Sequence, residues 1–227
     1  MRIAASMMVM LALVVSTAVA GSHHKKHHRN SKKKDAIIID KKVFNTANLP
    51  FIPHNGTALF TNWVGLNVDY QYIQPIFNLV NSTASLSNGT LLSRGESHIT
   101  VILPPEYDNI LHPAGVTIEE LNALATADNR LQRARFGIEC LGRVQAVSEP
   151  DKVFQQAVQI ILKNYREVVA YREEVFGLFV RKGGNPALFD PNNFLLHITL
   201  GFRRRNLFVE DGVFKGKNAC IHKMVAR

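Results

Sequence analysis

Ser97-His98-Ile99-Thr100-Val101-Ile102-Leu103 and Leu196-His197-Ile198-Thr199-Leu200-Gly201-Phe202 are the two stretches on which the reading of this chain turns. Each is a short apolar run of the kind that forms a buried strand, and Pro104-Pro105 ends the first. In a strand, residues i and i+2 share a face. His98 therefore points with Thr100, and His197 with Thr199, while Ile99 with Val101 and Ile198 with Leu200 turn the other way into a core. Two imidazoles, which titrate near neutral pH, suit general acid–base work. Two hydroxyls suit the non-bridging oxygens of a phosphate and need no formal charge. One H-x-T alone would read as a satisfied core histidine. Here the chain beyond residue 35 holds five histidines, His54, His98, His112, His197 and His222. Two of them carry Thr at i+2, both in apolar strands, 99 residues apart. The other three show no such pattern and read as structural or surface residues.

Working outward, the body divides at about Asp128–Arg135 into comparable halves, roughly 36–130 and 131–227. In the first, Ala58 to Val68 reads as a strand containing Trp63, Gly65 and Asn67. Tyr70 to Val80 has helical spacing, and Asn81 to Asn88 is a Ser/Asn/Gly loop. Thr117-Ile118-Glu119-Glu120 is a capping-box start to a helix reaching about Ala127. In the second half, Arg135 to Val147 and Val153 to Ile161 read as paired strands. Tyr165 to Val180 is an amphipathic helix stopped by Gly183-Gly184. Phe194 to Phe202 and Ala219 to Val225 read as further strands. The alternation predicts an α+β or α/β layout.

The first twenty residues read as a secretory signal peptide: Arg2, then the apolar run Met7 to Val15, then Ala18-Val19-Ala20 as a cleavage site. An uncleaved anchor is the alternative, and the small-residue ending argues for cleavage. A secreted, extracellular protein with no membrane segment after cleavage is expected. Sequons at Asn55, Asn81 and Asn88 agree with export. Residues 21–35 begin as a His/Lys-rich tract that cannot form a core. His23, His24, His27 and His28 could take up a transition metal, and the tract could bind polyanions weakly. A solvated tail is the simpler reading.

The chain has 227 residues and a formal charge of +9, which on its face suggests a nucleic-acid binder. Seven of its 27 basic residues precede Asp35 and no acidic residue does, so residues 35–227 carry only +2. A general basic binding surface is not implied. No zinc-type Cys/His spacing, Gly-rich phosphate loop or Ser nucleophile elbow occurs, so neither a metal nor another cofactor is expected. Cys140 and Cys220 are the only cysteines. In an oxidising compartment they are expected to form one disulfide, worth roughly 4 kcal/mol on the chain-entropy account; two buried thiols are the alternative.

The paired HITV and HITLGF elements resemble the signature of the two-histidine (2H) phosphoesterases. The segments SHITVILPPEYD, ECLG and HITLGF followed by EDGVFK resemble the secreted fungal Swiss Army Knife RNA repair-like proteins, over roughly Phe60 to Cys220. The resemblance implies a bilobal α+β fold, with two pseudo-symmetric lobes of antiparallel sheet and helices around a central cleft. It also implies metal-independent phosphodiester chemistry on 2′,3′-cyclic nucleotide or RNA-end phosphates. His98 and His197 would be the catalytic pair, in the order base and acid, and Thr100 and Thr199 the phosphate ligands. Phe202 stands where the family often touches substrate. Arg203-Arg204-Arg205 is more basic than the family pattern, and either holds a second phosphate through Arg203 or is a solvated run. Tyr107 and Trp63 are candidates to stack on a base, or else core aromatics. A monomer is expected. The rival from another class is a non-enzymatic extracellular protein that binds metal or polyanions through its tail.

Overall fold

Alternation of apolar and polar side chains along the two H-x-T strands decides which of their faces meets the core. The computed structural model describes residues 36–150 and 152–227; the expected signal peptide and tail lie outside the described residues. Among the described residues eight strands form: β1 Ile37–Ile39, β2 Val64–Val68, β3 Ser97–Ile102, β4 Gly137–Ser148, β5 Val153–Lys163, β6 His197–Phe202, β7 Cys220–His222 and β8 Met224–Ala226. Six of them make one antiparallel sheet in the order β2-β3-β6-β5-β4-β7, and β1 pairs in parallel with β8. The helices are α1 Gln74–Ser82, α2 Ala84–Ser87, the one-turn α3 Pro104–Glu106, α4 Ile118–Thr126 and α5 Arg166–Arg181.

The mixed helix and antiparallel-sheet class agrees with expectation, and the halves on either side of residue 130 share one six-stranded sheet. They join where β3 meets β6. Ile99, Ile198, Val101 and Leu200 enter one core together with Ile76 and Val80 of α1, Leu121 of α4, and Val168, Tyr171, Val175 and Phe179 of α5. Ile99 and Ile198 are fully buried, each contributing about 1.5–3 kcal/mol by leaving water. The helices thus cover one face of the sheet, and the histidines occupy the other.

Local signals explain most element ends. Thr117 Oγ1 accepts from Glu120 N (3.2 Å) and Thr117 N donates to Glu120 Oε2 (2.8 Å), which is the anticipated capping box. Gly183, at φ +87°, ends α5 in the left-handed conformation that a side chain resists. Three expectations are revised. The strand drawn over Ala58–Val68 starts only at Val64. The loop Asn81–Asn88 contains α2, which buries Leu86. The single last strand is two, because Lys223 separates β7 in the large sheet from β8 against β1.

Cys140 and Cys220 are disulfide-bonded with Cα atoms 5.7 Å apart, tying β4 to the edge strand β7. Asn55 and Asn88 are exposed, whereas Asn81 is half-buried and accepts from Leu91 N (2.8 Å). Among the described residues no helix is long and apolar enough to cross a membrane.

Candidate active site

β3 and β6 hydrogen-bond through one registered pair, Ile99 opposite Ile198, against eleven between β4 and β5. Opposed residues in an antiparallel pair point to the same side. Both isoleucines face the core, so His98, Thr100, His197 and Thr199 all face away from it. The same register sets His98 beside Thr199 and Thr100 beside His197, an arrangement close to two-fold symmetry about the isoleucine pair. With so short a ladder the strands diverge on either side of that pair. All four side chains belong to half-buried residues on this face.

β2 supplies one wall. Gly65 lies opposite Thr100 and Asn67 opposite His98. A Cβ on Gly65 would stand 2.5 Å from the Trp63 ring and 2.6 Å from the Ile99 carbonyl oxygen, so only glycine admits the indole here. Trp63 meets His98 with ring centroids 4.8 Å apart, and His54 stacks on it at 3.6 Å. His54 Nε2 in turn bonds Asn67 Oδ1 at 2.9 Å. One face of Trp63 is therefore covered, and the indole packs against two histidines.

The electrostatics differ sharply between the two motifs. His98 Nδ1 lies 3.4 Å from Glu96 Oε2, and Glu96 is also paired with Arg94 at 3.0 Å. Burial pulls the His98 pKa below 6.5, and Glu96 opposes that by favouring the imidazolium. In His197, Nδ1 donates to the Leu195 carbonyl at 2.8 Å, which leaves the Nε2 lone pair exposed to the Lys215 ammonium 3.3 Å away. Burial, and then the positive charge of Lys215, push the His197 pKa down to about 3. His197 is thus the neutral, proton-accepting imidazole, and His98 is the one with a carboxylate to support its protonated form. These directions favour the opposite order of base and acid to the one the resemblance implied.

Lys215 arrives from the segment that follows β6. Leu207 and Val213 pack with Val144, Ala157 and Phe202 on the histidine face and cover part of it. Lys215 Nζ donates to Asn206 Oδ1 at 2.9 Å, and burial lowers its pKa to about 8 while Asp211 opposes the shift. On β5, Gln159 lies opposite Thr199 and is fully buried. Neither Oε1 nor Nε2 of Gln159 has a hydrogen-bond partner among the described residues. An amide left so costs about 1–3 kcal/mol until a water or substrate pairs it.

The four motif residues are brought together, and the expected substrate contacts only in part. Phe202 is half-buried in the small apolar cluster on the site's face, four residues beyond Ile198. Arg203 is exposed at the far end of β6 with its guanidinium 5.3 Å from the Phe154 ring centroid. Arg205 is held by Asp211 through two hydrogen bonds. Tyr107 does not reach the site: the turn at Pro104–Glu106 swings it into the helix-side core, where it is 4% exposed. Sequence reasoning read His54 as structural or surface and missed Gln159 and Lys215. Only Lys215 left a trace there, as the last residue of the EDGVFK segment.

No curated protein and no solved structure matches the chain. A family model described as Swiss Army Knife, 2H phosphoesterase domain, matches residues 62–208. That span holds both H-x-T strands, Trp63 and Gln159, and leaves out His54 and Lys215. With well over half of its length so matched, and both motif strands side by side in one sheet, the chain belongs to the Swiss Army Knife family of 2H phosphoesterases.

Proposed function

We propose that the protein is a secreted, metal-independent phosphodiesterase that hydrolyses 2′,3′-cyclic nucleotide or RNA-end phosphates. Family membership supports phosphodiesterase-type activity in general. The observation that carries the finer reading is the Ile99–Ile198 pair, which turns two imidazoles and two hydroxyls onto one face. In the reaction, neutral His197 Nε2 takes a proton from a water, whose oxygen attacks phosphorus. His98, protonated, gives a proton to the departing sugar oxygen as its bond to phosphorus breaks. Thr100 and Thr199 donate to the non-bridging oxygens as negative charge builds on them. The two imidazoles end with exchanged protonation states, and solvent resets them. Extracellular location rests on the N-terminal sequence, on the Cys140–Cys220 disulfide, and on the exposed sequons at Asn55 and Asn88.

The test is to incubate the purified mature protein with 2′,3′-cyclic nucleotides in the presence of EDTA. Ring-opened monophosphate should form at an undiminished rate. No turnover of any cyclic nucleotide, or turnover that EDTA abolishes, contradicts the reading.

A pH prediction follows from the two shifts. His197 must be neutral, which holds above about pH 3, and His98 must be protonated, which holds below a pKa that lies under 6.5. The profile of kcat/KM, which reports the free enzyme, should be a bell with its maximum on the acid side of pH 6.5. A maximum at pH 8 would contradict these assignments.

A further inference from the structure

We infer that Lys215 is a phosphate-contacting residue whose buried ammonium takes up a non-bridging oxygen of the substrate and, in doing so, frees His197 to act as base. The inference rests on the phosphodiesterase reading above and concerns a residue beyond the span matched to the family.

The placement of Lys215 comes from alternation in the covering segment. Val213 is buried, Phe214 is 64% exposed and Lys215 is 6% exposed, so the lysine is delivered to the same side as the apolar anchor Val213. An ammonium so buried is costly unless a carboxylate pairs it. Among the described residues no carboxylate forms an ion pair with Lys215. Asp211, the acidic group whose charge it feels, is held by the Arg205 guanidinium. An ammonium has three hydrogens to donate. One goes to Asn206 Oδ1, one meets His197 Nε2, and Phe208 contributes only its ring, 5.5 Å from Nζ. The Lys215 charge is therefore left for an anion, beside His197.

The chemistry asks for that charge. Thr100 and Thr199 are neutral, and His98 gives up its proton as the reaction proceeds. A phosphodiester is anionic throughout and concentrates charge on its non-bridging oxygens in the transition state. Lys215 is a cation that persists. In the free site its ammonium engages the lone pair that His197 needs for attacking water. A phosphate oxygen that draws Nζ away unmasks Nε2, so substrate binding and activation of the base become one event.

The experiment uses the mature protein, inorganic phosphate as probe, and the variants Lys215→Met and Lys215→Arg. Lys215→Met should melt at or above the wild-type temperature, because it removes an unpaired buried charge. It should bind phosphate about 10- to 100-fold more weakly, the loss expected of one charge-assisted hydrogen bond. Lys215→Arg should recover part of that binding. In wild-type protein, nitrogen NMR of His197 should show its pKa rising when phosphate is added, a measurement that needs no variant to fold. Phosphate binding by folded Lys215→Met within twofold of wild type, or a His197 signal that phosphate leaves unmoved, overturns the inference while leaving wild-type turnover intact. Wild-type protein that neither binds phosphate nor hydrolyses a phosphodiester overturns this inference and the proposed function together.

Discussion

Replacing His197 by Ala should lower kcat/KM on a cyclic phosphodiester by about 10²–10⁴-fold, and replacing His98 should do the same, as loss of a positioned base or acid does. The two losses should be told apart by pH. Without His197, whose neutral form is held by burial and by Lys215, the acid limb of the profile should disappear. Without His98, whose imidazolium is supported by Glu96, the alkaline limb should disappear and an added small acid should restore some rate. Thr100→Ala and Thr199→Ala should cost less, since a hydroxyl stabilises charge and transfers no proton. Both histidines are only half-buried, so their variants are expected to fold, and thermal melts check this. A loss below tenfold in a folded single variant counts against a proton-transfer role for that residue.

Arg172→Met should destabilise the fold by about 3–5 kcal/mol, the cost of removing one partner from a buried ion pair. The Arg172 guanidinium is fully buried beneath the sheet. Its NH1 donates to the Val101 carbonyl of β3 (2.8 Å) and to Glu106 Oε2 (3.1 Å), and NH2 to Glu106 Oε1 (2.8 Å) and the Asp190 carbonyl (3.2 Å). Nε donates to the Pro191 carbonyl (3.0 Å), and the rings of Phe189 and Phe194 lie 4.8 and 4.6 Å from Cζ. One side chain on α5 thus holds both β3 and the segment leading into β6, the two strands that carry the histidines. Methionine would fill the volume but leave the Glu106 carboxylate and three carbonyls without this donor. Urea unfolding that shows a loss under 1 kcal/mol would contradict this account of how the two motifs are held together.

What the sequence revealed and what it hid divide along the range of the interaction. The faces of β3 and β6 follow from a period of two, which any six residues display, and the start of α4 follows from Thr117 and Glu120 three residues apart. Which strand lies beside which is a different matter. That β3 lies beside β6 was not legible, because nothing in the 98 residues between Ile99 and Ile198 announces their pairing. Tyr107 looked available because an aromatic after Pro104-Pro105 has no local reason to be buried; the short turn that buries it acts only against a folded core. Arg205 looked like part of a basic run until Asp211, six residues on, claimed it. The acid–base order proposed here was not legible for the same reason. It depends on Glu96, two residues from His98, but also on Lys215, eighteen residues from His197 and brought to it by the packing of Leu207 and Val213.

The most direct measurement of the central claim is hydrolysis of a 2′,3′-cyclic nucleotide, in EDTA, by wild-type protein and by a His98→Ala, His197→Ala double variant shown by circular dichroism and melting to be folded. The account predicts metal-free turnover by the wild type and a double-variant rate at least about 10²-fold lower, close to either single variant because the two groups act as a unit. A folded double variant that keeps the wild-type rate would make the histidines structural and contradict the account.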